Sequence, residues 1–170
     1  MTNSNCVWGV FVGEGGCLLQ DFNSQHRPYP PIENDEGWVA IGWGRVGAME
    51  MYESNYKLFE TQFFKVYPGE KPIQASEVWR FAYEIKVGDW VISPSAATGF
   101  LLVGEITSPY ISNHDGDFQF EYYRHIRKVK WLYIIPKSDP RYTQLNRIGQ
   151  LAVAKLNRTI AEVKNICETK

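Results

Sequence analysis

The segment Gly37-Trp-Val-Ala-Ile-Gly-Trp-Gly44 is a short apolar strand that ends in a tryptophan between two glycines. Gly42 and Gly44 have no side chains, so another backbone or a flat ligand can approach the indole of Trp43 closely. This pattern indicates a stacking surface at the end of a strand. The alternative is a core position for Trp43, because most tryptophans in folded proteins are largely buried.

Two more segments have the same design, an apolar strand that opens onto glycine, serine or proline. They are Trp8-Gly-Val-Phe-Val-Gly-Glu-Gly-Gly16 and Gly88-Asp-Trp-Val-Ile-Ser-Pro-Ser95. Three strand ends of this kind can converge on one pocket. For Trp38 and Trp90 a core position is favoured.

The composition indicates one domain with a substantial core. The chain has 170 residues, of which 44% are hydrophobic, and this excludes general disorder. Its formal net charge is -1, so any affinity for nucleic acid requires a local basic patch. The aromatic share of 15% includes 6 Trp and 10 Tyr, which suit flat ligands as well as cores.

The order of apolar and turn-forming segments predicts an α+β fold. Strands are expected over residues 6–12, 38–43, 90–93, 100–107 and 118–134, and helices over 53–66 and from an N-cap at Ser76. The nearly continuous apolar run at 100–107 is typical of a strand that is buried on both faces. Five or six strands with flanking helices favour a small open β-barrel.

The C-terminal segment differs in its pattern. Apolar residues recur from Leu145 to Cys167 at steps of three and four, with Lys and Arg between them, which predicts a single amphipathic helix over 142–168. Its role is either to cover the barrel or to connect it to another domain or copy. The chain is therefore divided into a barrel domain, residues 1–136, and a C-terminal helical element, residues 137–170.

Several patterns of metal-binding and targeting sequences are missing. Cys6, Cys17 and Cys167 are far apart and form no Cys-x-x-Cys pair, so neither zinc nor a disulfide scaffold is expected. The glycines of 13–16 lack the Lys-Ser/Thr of a phosphate loop, and no cofactor is predicted. The N-terminus has no signal-peptide pattern and no apolar run reaches the length of a membrane span, so a cytoplasmic protein without membrane contact is expected.

Catalytic residues are not predicted either. Asp89, Glu105 and Glu121 follow the order of the carboxylates in a two-metal nuclease, but Glu105 is followed by Ile-Thr rather than by one residue and a lysine. An enzyme in which Glu105 or Glu121 is catalytic remains an alternative.

A basic stretch interleaved with aromatic residues runs from Tyr122 to Trp131. Its cations are Arg124, Arg127, Lys128 and Lys130, and His125 lies among them. A strand of this kind can hold backbone phosphates while aromatic side chains take a base. The alternative is a solvated edge strand whose lysines discourage aggregation. Both interpretations place the charges on the outside.

Five segments together resemble a known family. They are Trp8 to Gly16, Val39-Ala-Ile-Gly-Trp43, Trp79-Arg-Phe-Ala-Tyr-Glu-Ile-Lys-Val-Gly-Asp89, Val103-Gly-Glu-Ile-Thr-Ser-Pro-Tyr110 and Tyr123-Arg-His-Ile-Arg-Lys-Val-Lys-Trp131. In this order, over roughly residues 7–135, they resemble the amino-terminal domain of modification-dependent restriction endonucleases. Those domains belong to the PUA-like superfamily, which includes the EVE and YTH domains.

The resemblance implies a small barrel that flips a modified base out of nucleic acid and holds it in an aromatic cage. Trp43 matches a cage tryptophan at the end of the second strand of YTH-like domains. The residues expected around the base are Val12, Gly13, Ile41, Gly42, Trp43, Ser93, Pro94, Ser95, Tyr110, Phe118 and Phe120. Those expected at the nucleic-acid backbone are Arg124, His125, Arg127, Lys128 and Lys130.

The expected function is therefore that of a binding module without catalysis of its own. It would bind DNA that carries a methylated or hydroxymethylated base, as the specificity module of a modification-dependent restriction system. A separate nuclease domain or subunit would then cut the DNA. The alternative is an RNA-binding PUA-like module that reads modified RNA.

Overall fold

A computed structural model of the chain describes residues 4–13, 16, 19, 23, 31, 34–95, 98–112 and 123–169. Its strands are β1 (Val7–Val10), β2 (Glu36–Ile41), β3 (Trp90–Ser95), β4 (Phe100–Ile106), β5 (Ile111–Ser112), β6 (His125–Pro136) and β7 (Val153–Lys155). The helices are α1 (Tyr56–Val66), α2 (Pro72–Trp79), α3 (Pro140–Leu145) and α4 (Ile160–Glu168), and a π-helical turn at Arg80–Glu84 continues α2.

The strands form one mixed sheet in the order β2-β6-β4-β3-β1-β7, and β5 pairs with β6 beside this path. β1 and β3 are parallel, and the other pairs are antiparallel. The sheet curls into an open half-barrel of six strands with helices packed against it. The predicted α+β class and the open sheet of five or six strands are thus confirmed.

The centre of the sheet is buried on both faces. One face carries Trp131 and Leu102 and packs against Phe59 and Phe63 of α1. The other face carries Leu101 and packs in a second apolar cluster with residues of α3 and α4. Both flanks of β4 are paired, with β3 and β6, so the continuous apolar run predicted at 100–107 is explained.

The prediction of a single C-terminal helix over 142–168 is wrong. This part of the chain forms α3, then β7, then α4, and Gly149 between α3 and β7 has a left-handed φ of 77°. β7 pairs antiparallel with the open edge of β1, where Trp8 faces Lys155 and Val10 faces Val153. The apolar steps of three and four belong to two short helices that bury their faces in the same cluster. Within residues 137–169, β7 therefore belongs to the sheet, and α3 and α4 pack in its second apolar cluster.

The second predicted helix begins earlier than expected. Ser76 is not an N-cap, since α2 starts at Pro72 and the Ser76 hydroxyl donates to the Ile73 carbonyl inside the helix. Proline is favoured at the first helical position, and the Lys71 amide donates to the Gln74 side chain at 2.8 Å. None of the helices in the described ranges is long and apolar enough to cross a membrane.

Gly37 provides a test of the packing under β2. A Cβ at this position would lie 2.1 Å from Trp131 Nε1 and 2.2 Å from Asn23 Oδ1, two atoms that are joined by a hydrogen bond of 2.9 Å. Overpacking costs about 1–3 kcal/mol and a broken buried hydrogen bond costs a similar amount. We expect Gly37→Ala to lower the unfolding free energy by about 3 kcal/mol in urea unfolding.

Gly69 is the matched control for this measurement. A Cβ there would have no neighbour within 4 Å among the described residues. Gly69→Ala is therefore expected to change the unfolding free energy by less than about 0.5 kcal/mol. Equal losses in the two variants would contradict the packing described around Gly37.

Candidate functional site: an aromatic pocket

A cavity of about 690 Å³ opens where the end of β1, the end of β2 and the start of β6 meet. Its lining residues are Phe11, Gly13, Ile41, Gly42, Trp43, Tyr67, Glu70, Tyr123, Gly149, Gln150 and Ala152. We call it the aromatic pocket, because separate segments contribute the rings of Phe11, Trp43, Tyr67 and Tyr123. Its volume lies in the range of small-molecule sites, which are mostly apolar with few polar groups.

Trp43 has an unusual backbone conformation at the edge of this pocket. Its φ of 62° and ψ of 35° lie in the left-handed region, which costs a residue with a Cβ about 1–2 kcal/mol. The side chain is half-buried against the main core. Strain of this kind persists only when the surrounding structure holds it, and it is concentrated at functional sites.

The backbone of Trp43 is held by the buried ring of His125. His125 Nε2 lies 3.1 Å from the Trp43 carbonyl, which can only accept, so Nε2 carries the proton. Nδ1 is then an acceptor, and the Tyr110 hydroxyl donates to it at 2.6 Å. Burial raises the pKa of Tyr110 far above its usual range, so this hydroxyl remains a donor at neutral pH. The Trp43–His125–Tyr110 network thus fixes the strand end from behind.

Tyr67, another lining residue of the pocket, is held in place by Arg45. The Arg45 guanidinium lies 4.8 Å from the centroid of the Tyr67 ring, and the Arg45 amide donates to the Tyr67 hydroxyl at 3.1 Å. Arg45 is exposed, so a positive charge stands beside a pocket whose lining includes the charged residue Glu70. Neither residue was among those predicted from the sequence, although Arg45 is only two positions after Trp43.

Four of the residues predicted around the base line the pocket, namely Gly13, Ile41, Gly42 and Trp43. Val12 lies between two lining residues, but its own side chain is fully buried. The remaining lining aromatics, Phe11 and Tyr123, are inside segments that the resemblance had already singled out. Phe118 and Phe120 lie outside the described residues.

The prediction that Ser93, Pro94 and Ser95 face the base is wrong. All three are buried in β3, which is paired on both sides, by β4 and β1. The Ser93 hydroxyl donates to the Val10 carbonyl at 2.7 Å. Gly16 packs so tightly on the Pro94 carbonyl that a Cβ would lie 1.9 Å from its oxygen. The Ser93 hydroxyl and the Pro94 carbonyl are therefore used inside the sheet, and the Ser95 hydroxyl is buried there as well.

Tyr110 also lies elsewhere than predicted. It contributes to a second cavity, and its hydroxyl is occupied by His125 and by the Met49 amide, which donates to it at 3.3 Å. Tyr110 thus acts on the aromatic pocket through His125 rather than as one of its walls.

The prediction that the charges of the basic stretch all lie outside is wrong for Arg127, and His125 is equally buried. Five residues at the start of β6 are buried, at positions 125, 126, 127, 129 and 131, whereas Lys128 is exposed. The Arg127 guanidinium donates to the carbonyls of Phe81, Ala82 and Ser108 at 3.0, 3.0 and 3.3 Å. Burial lowers the pKa of Arg127 to about 10. Neither residue can hold a phosphate at the surface.

The other three cations of this stretch lie at or near the protein surface. Lys128 is exposed, with Nζ 5.3 Å from the centroid of the Trp38 ring, while Lys130 and Arg124 are half-buried.

The core position predicted for Trp90 is confirmed, because its side chain is only 7% exposed and lies in the second apolar cluster.

The carboxylates considered for catalysis do not come together in the described part of the chain. Asp89 is buried and accepts from the Cys6 amide, the Trp8 indole and the Lys86 amide, each at 2.9 Å. Glu105 is half-buried on β4, and Glu121 lies outside the described residues. Across the ranges that the structure describes, no three His, Cys, Asp or Glu side chains are grouped to hold a metal ion.

The fold and the pocket define an α+β protein with a curled open sheet and an aromatic cavity at the ends of its strands. Residues 31–157 match the family described as "Domain of unknown function (DUF8426)", and the chain belongs to this family. The matched region runs from before β2 to just after β7, and so includes Trp43, Tyr67 and Tyr123. No curated protein and no solved structure matches the chain significantly.

Proposed function

We propose that this protein binds DNA that carries a modified base, and that the aromatic pocket takes the base after it has been flipped out of the duplex. The observation that carries the proposal is the group of four rings around a cavity of about 690 Å³. One of these rings, Trp43, belongs to a residue held in a strained conformation by a buried hydrogen-bond network.

The energetics are consistent with this role. Flipping a base costs a few kcal/mol, and stacking on an aromatic ring returns roughly 1–3 kcal/mol per base. A methyl group that fills an apolar part of the pocket adds about 0.8 kcal/mol. Glu70 and Gln150 supply polar groups among the lining residues and can read the edge of the base. A carboxylate there favours a base edge that presents N–H donors.

The curled half-barrel and the five collinear segments support a second part of the proposal, a PUA-like fold of the EVE or YTH type. In this proposal the chain is a binding module, the specificity element of a modification-dependent restriction system. Cleavage would come from a separate nuclease domain or subunit.

The experiment is a binding panel read by fluorescence anisotropy. Duplexes with a single 5-methylcytosine, 5-hydroxymethylcytosine or N6-methyladenine are compared with unmodified DNA and with RNA of the same sequence. We expect one modified duplex to bind about four-fold tighter or more than its unmodified counterpart, the equivalent of one buried methyl group. Uniform affinity across the panel would overturn the proposal, and preference for modified RNA would replace DNA by RNA as the partner.

The salt dependence should be shallow. With Arg127 and His125 buried, the candidates for phosphate contacts are Arg45, Arg124, Lys128 and Lys130. Two to four contacts predict a slope of log affinity against log salt of about -2 to -4. Lys128→Glu should weaken modified and unmodified duplexes alike.

Lys164→Glu on α4 is the charge-matched control for Lys128→Glu. Lys164 is exposed on a helix that packs in the second apolar cluster, so its reversal should leave DNA affinity unchanged. A loss confined to the modified duplex in Lys128→Glu would assign Lys128 to base recognition instead of phosphate binding.

A further inference from the structure

A second cavity, of about 400 Å³, lies beside the π-helical turn that follows α2. Its walls are mostly apolar and include Met49, Ile85, Val87 and Pro109. Tyr110 and Arg127 also line it, so this cavity adjoins the residue that holds His125 from behind. We call it the Arg127 cavity.

Arg127 is an unusual wall for such a cavity, because it is only 3% exposed and carries a full positive charge. Among the described residues no carboxylate lies within 4 Å of its guanidinium. Three of its five N–H groups donate to backbone carbonyls, which leaves two N–H groups without a protein acceptor in the described part of the chain. Buried cations are normally paired with a carboxylate in direct contact. Asp89, which is also buried, acts on Arg127 only through its charge and not as a hydrogen-bond acceptor.

We infer that the Arg127 cavity binds a small molecule with one carboxylate and an apolar body, and that the carboxylate accepts from the Arg127 guanidinium. A planar carboxylate matches the forked donors of arginine, and the apolar walls suit a hydrocarbon or aromatic body. The other charged lining residues, Lys86 and Glu50, are exposed and opposite in sign. Asp89 does not line the cavity but already offsets part of the Arg127 charge, so a single negative charge suits the guanidinium better than a phosphate dianion.

The inference is independent of what the aromatic pocket binds. A ligand in the Arg127 cavity would nevertheless contact Tyr110, whose hydroxyl bonds His125 and through it the carbonyl of Trp43. The two cavities are joined by this chain of two hydrogen bonds.

The test uses four probes, each a phenyl ring with a different polar head group, titrated into the isotope-labelled full chain and followed by NMR at the Arg127 Nε–H and the Val87 amide. The probes are phenylacetate, phenylacetamide, phenethylamine and phenyl phosphate. Phenylacetate should shift both signals and bind about ten-fold tighter than phenylacetamide, as expected for a charge-assisted hydrogen bond. Equal binding of the acid and the amide, tighter binding of the amine or of the phosphate, or no shift at millimolar phenylacetate would overturn the inference.

Two variants assign the binding to this cavity. Arg127→Lys keeps the charge and loses the fork, so phenylacetate affinity should fall about ten-fold. Because this change can also disturb the carbonyls that Arg127 holds, Val87→Glu provides a second measurement. Val87 is 54% exposed and lines the cavity, so the added negative charge should weaken phenylacetate several-fold and leave phenylacetamide unchanged.

Leu58→Glu is the matched control, an equally exposed apolar residue on the outer face of α1 that does not line the cavity. It should bind phenylacetate as the wild-type protein does. If Leu58→Glu and Val87→Glu weaken phenylacetate equally, the acid binds through the general charge of the protein and the inference fails.

Discussion

Replacing Trp43 with alanine is expected to weaken binding of a modified duplex by about 5- to 150-fold, the equivalent of one lost stacking interaction of roughly 1–3 kcal/mol. The indole lines the aromatic pocket, and its backbone is already held in place by His125. The loss should therefore appear in binding without a collapse of the fold. Anisotropy with the preferred duplex and thermal unfolding measure the two effects.

Trp43→Gly separates stacking from stability. Both variants remove the ring, but glycine relieves the left-handed conformation with φ of 62° that alanine must keep. Trp43→Gly is thus expected to be about 1 kcal/mol more stable than Trp43→Ala and equally poor at binding. Unfolding of both variants would show that Trp43 is a core residue.

Trp38→Ala is the control for removing a half-buried indole from the same region. Trp38 lies on β2 with its ring next to Lys128 Nζ, and it does not line the pocket. Its replacement should lower stability while the preference for the modified duplex persists. A loss of preference equal to that of Trp43→Ala would mean that the strand, and not the stacking surface, decides recognition.

Asp89→Ala is expected to have the largest effect on stability. The buried carboxylate accepts from the Cys6 amide, the Trp8 indole and the Lys86 amide, and so ties the start of β1 to the turn before β3. Leaving three donors without an acceptor costs about 1–3 kcal/mol for each buried group. We expect a loss of about 4 kcal/mol, which lowers the melting temperature by about 8–16 °C.

Glu105→Ala is the comparison for Asp89, because Glu105 is a half-buried carboxylate on the neighbouring strand β4. Its change in unfolding free energy should stay below about 1 kcal/mol. Asp89→Asn keeps one acceptor oxygen and should lie between the two alanine variants. An Asp89→Ala protein as stable as the wild type would contradict the buried network and reopen a chemical role for this carboxylate.

The strands were predictable wherever a local pattern sufficed. β4 is buried on both faces, and this burial requires the nearly continuous apolar run seen in its sequence. The single helix predicted over 142–168 was wrong because the local pattern there fits more than one structure. Apolar residues spaced three and four positions apart are compatible with one long helix and with two short ones. The structure has two short helices, because the segment between them forms β7 and pairs with the free edge of β1.

The basic stretch shows a different limit. All of its charges were predicted to lie outside, although a strand places alternate residues on opposite faces. Which of its residues point inward depends on the register of β6 against β2 and β4. Arg127 is stabilised inside by carbonyls of Phe81, Ala82 and Ser108, residues 19 to 46 positions away. No local pattern encodes such acceptors.

By itself the sequence determined that an indole stands between two glycines at the end of an apolar strand, because strand propensity and glycine geometry are properties of neighbouring residues. Only the tertiary structure decided what surrounds it. Phe11, Tyr67 and Tyr123 meet Trp43 because the sheet order and α1 bring four distant segments to one place. Tyr110 and His125 became its support in the same way. Packing between remote segments is set by the burial of the whole apolar surface, and no single stretch of the chain contains that information.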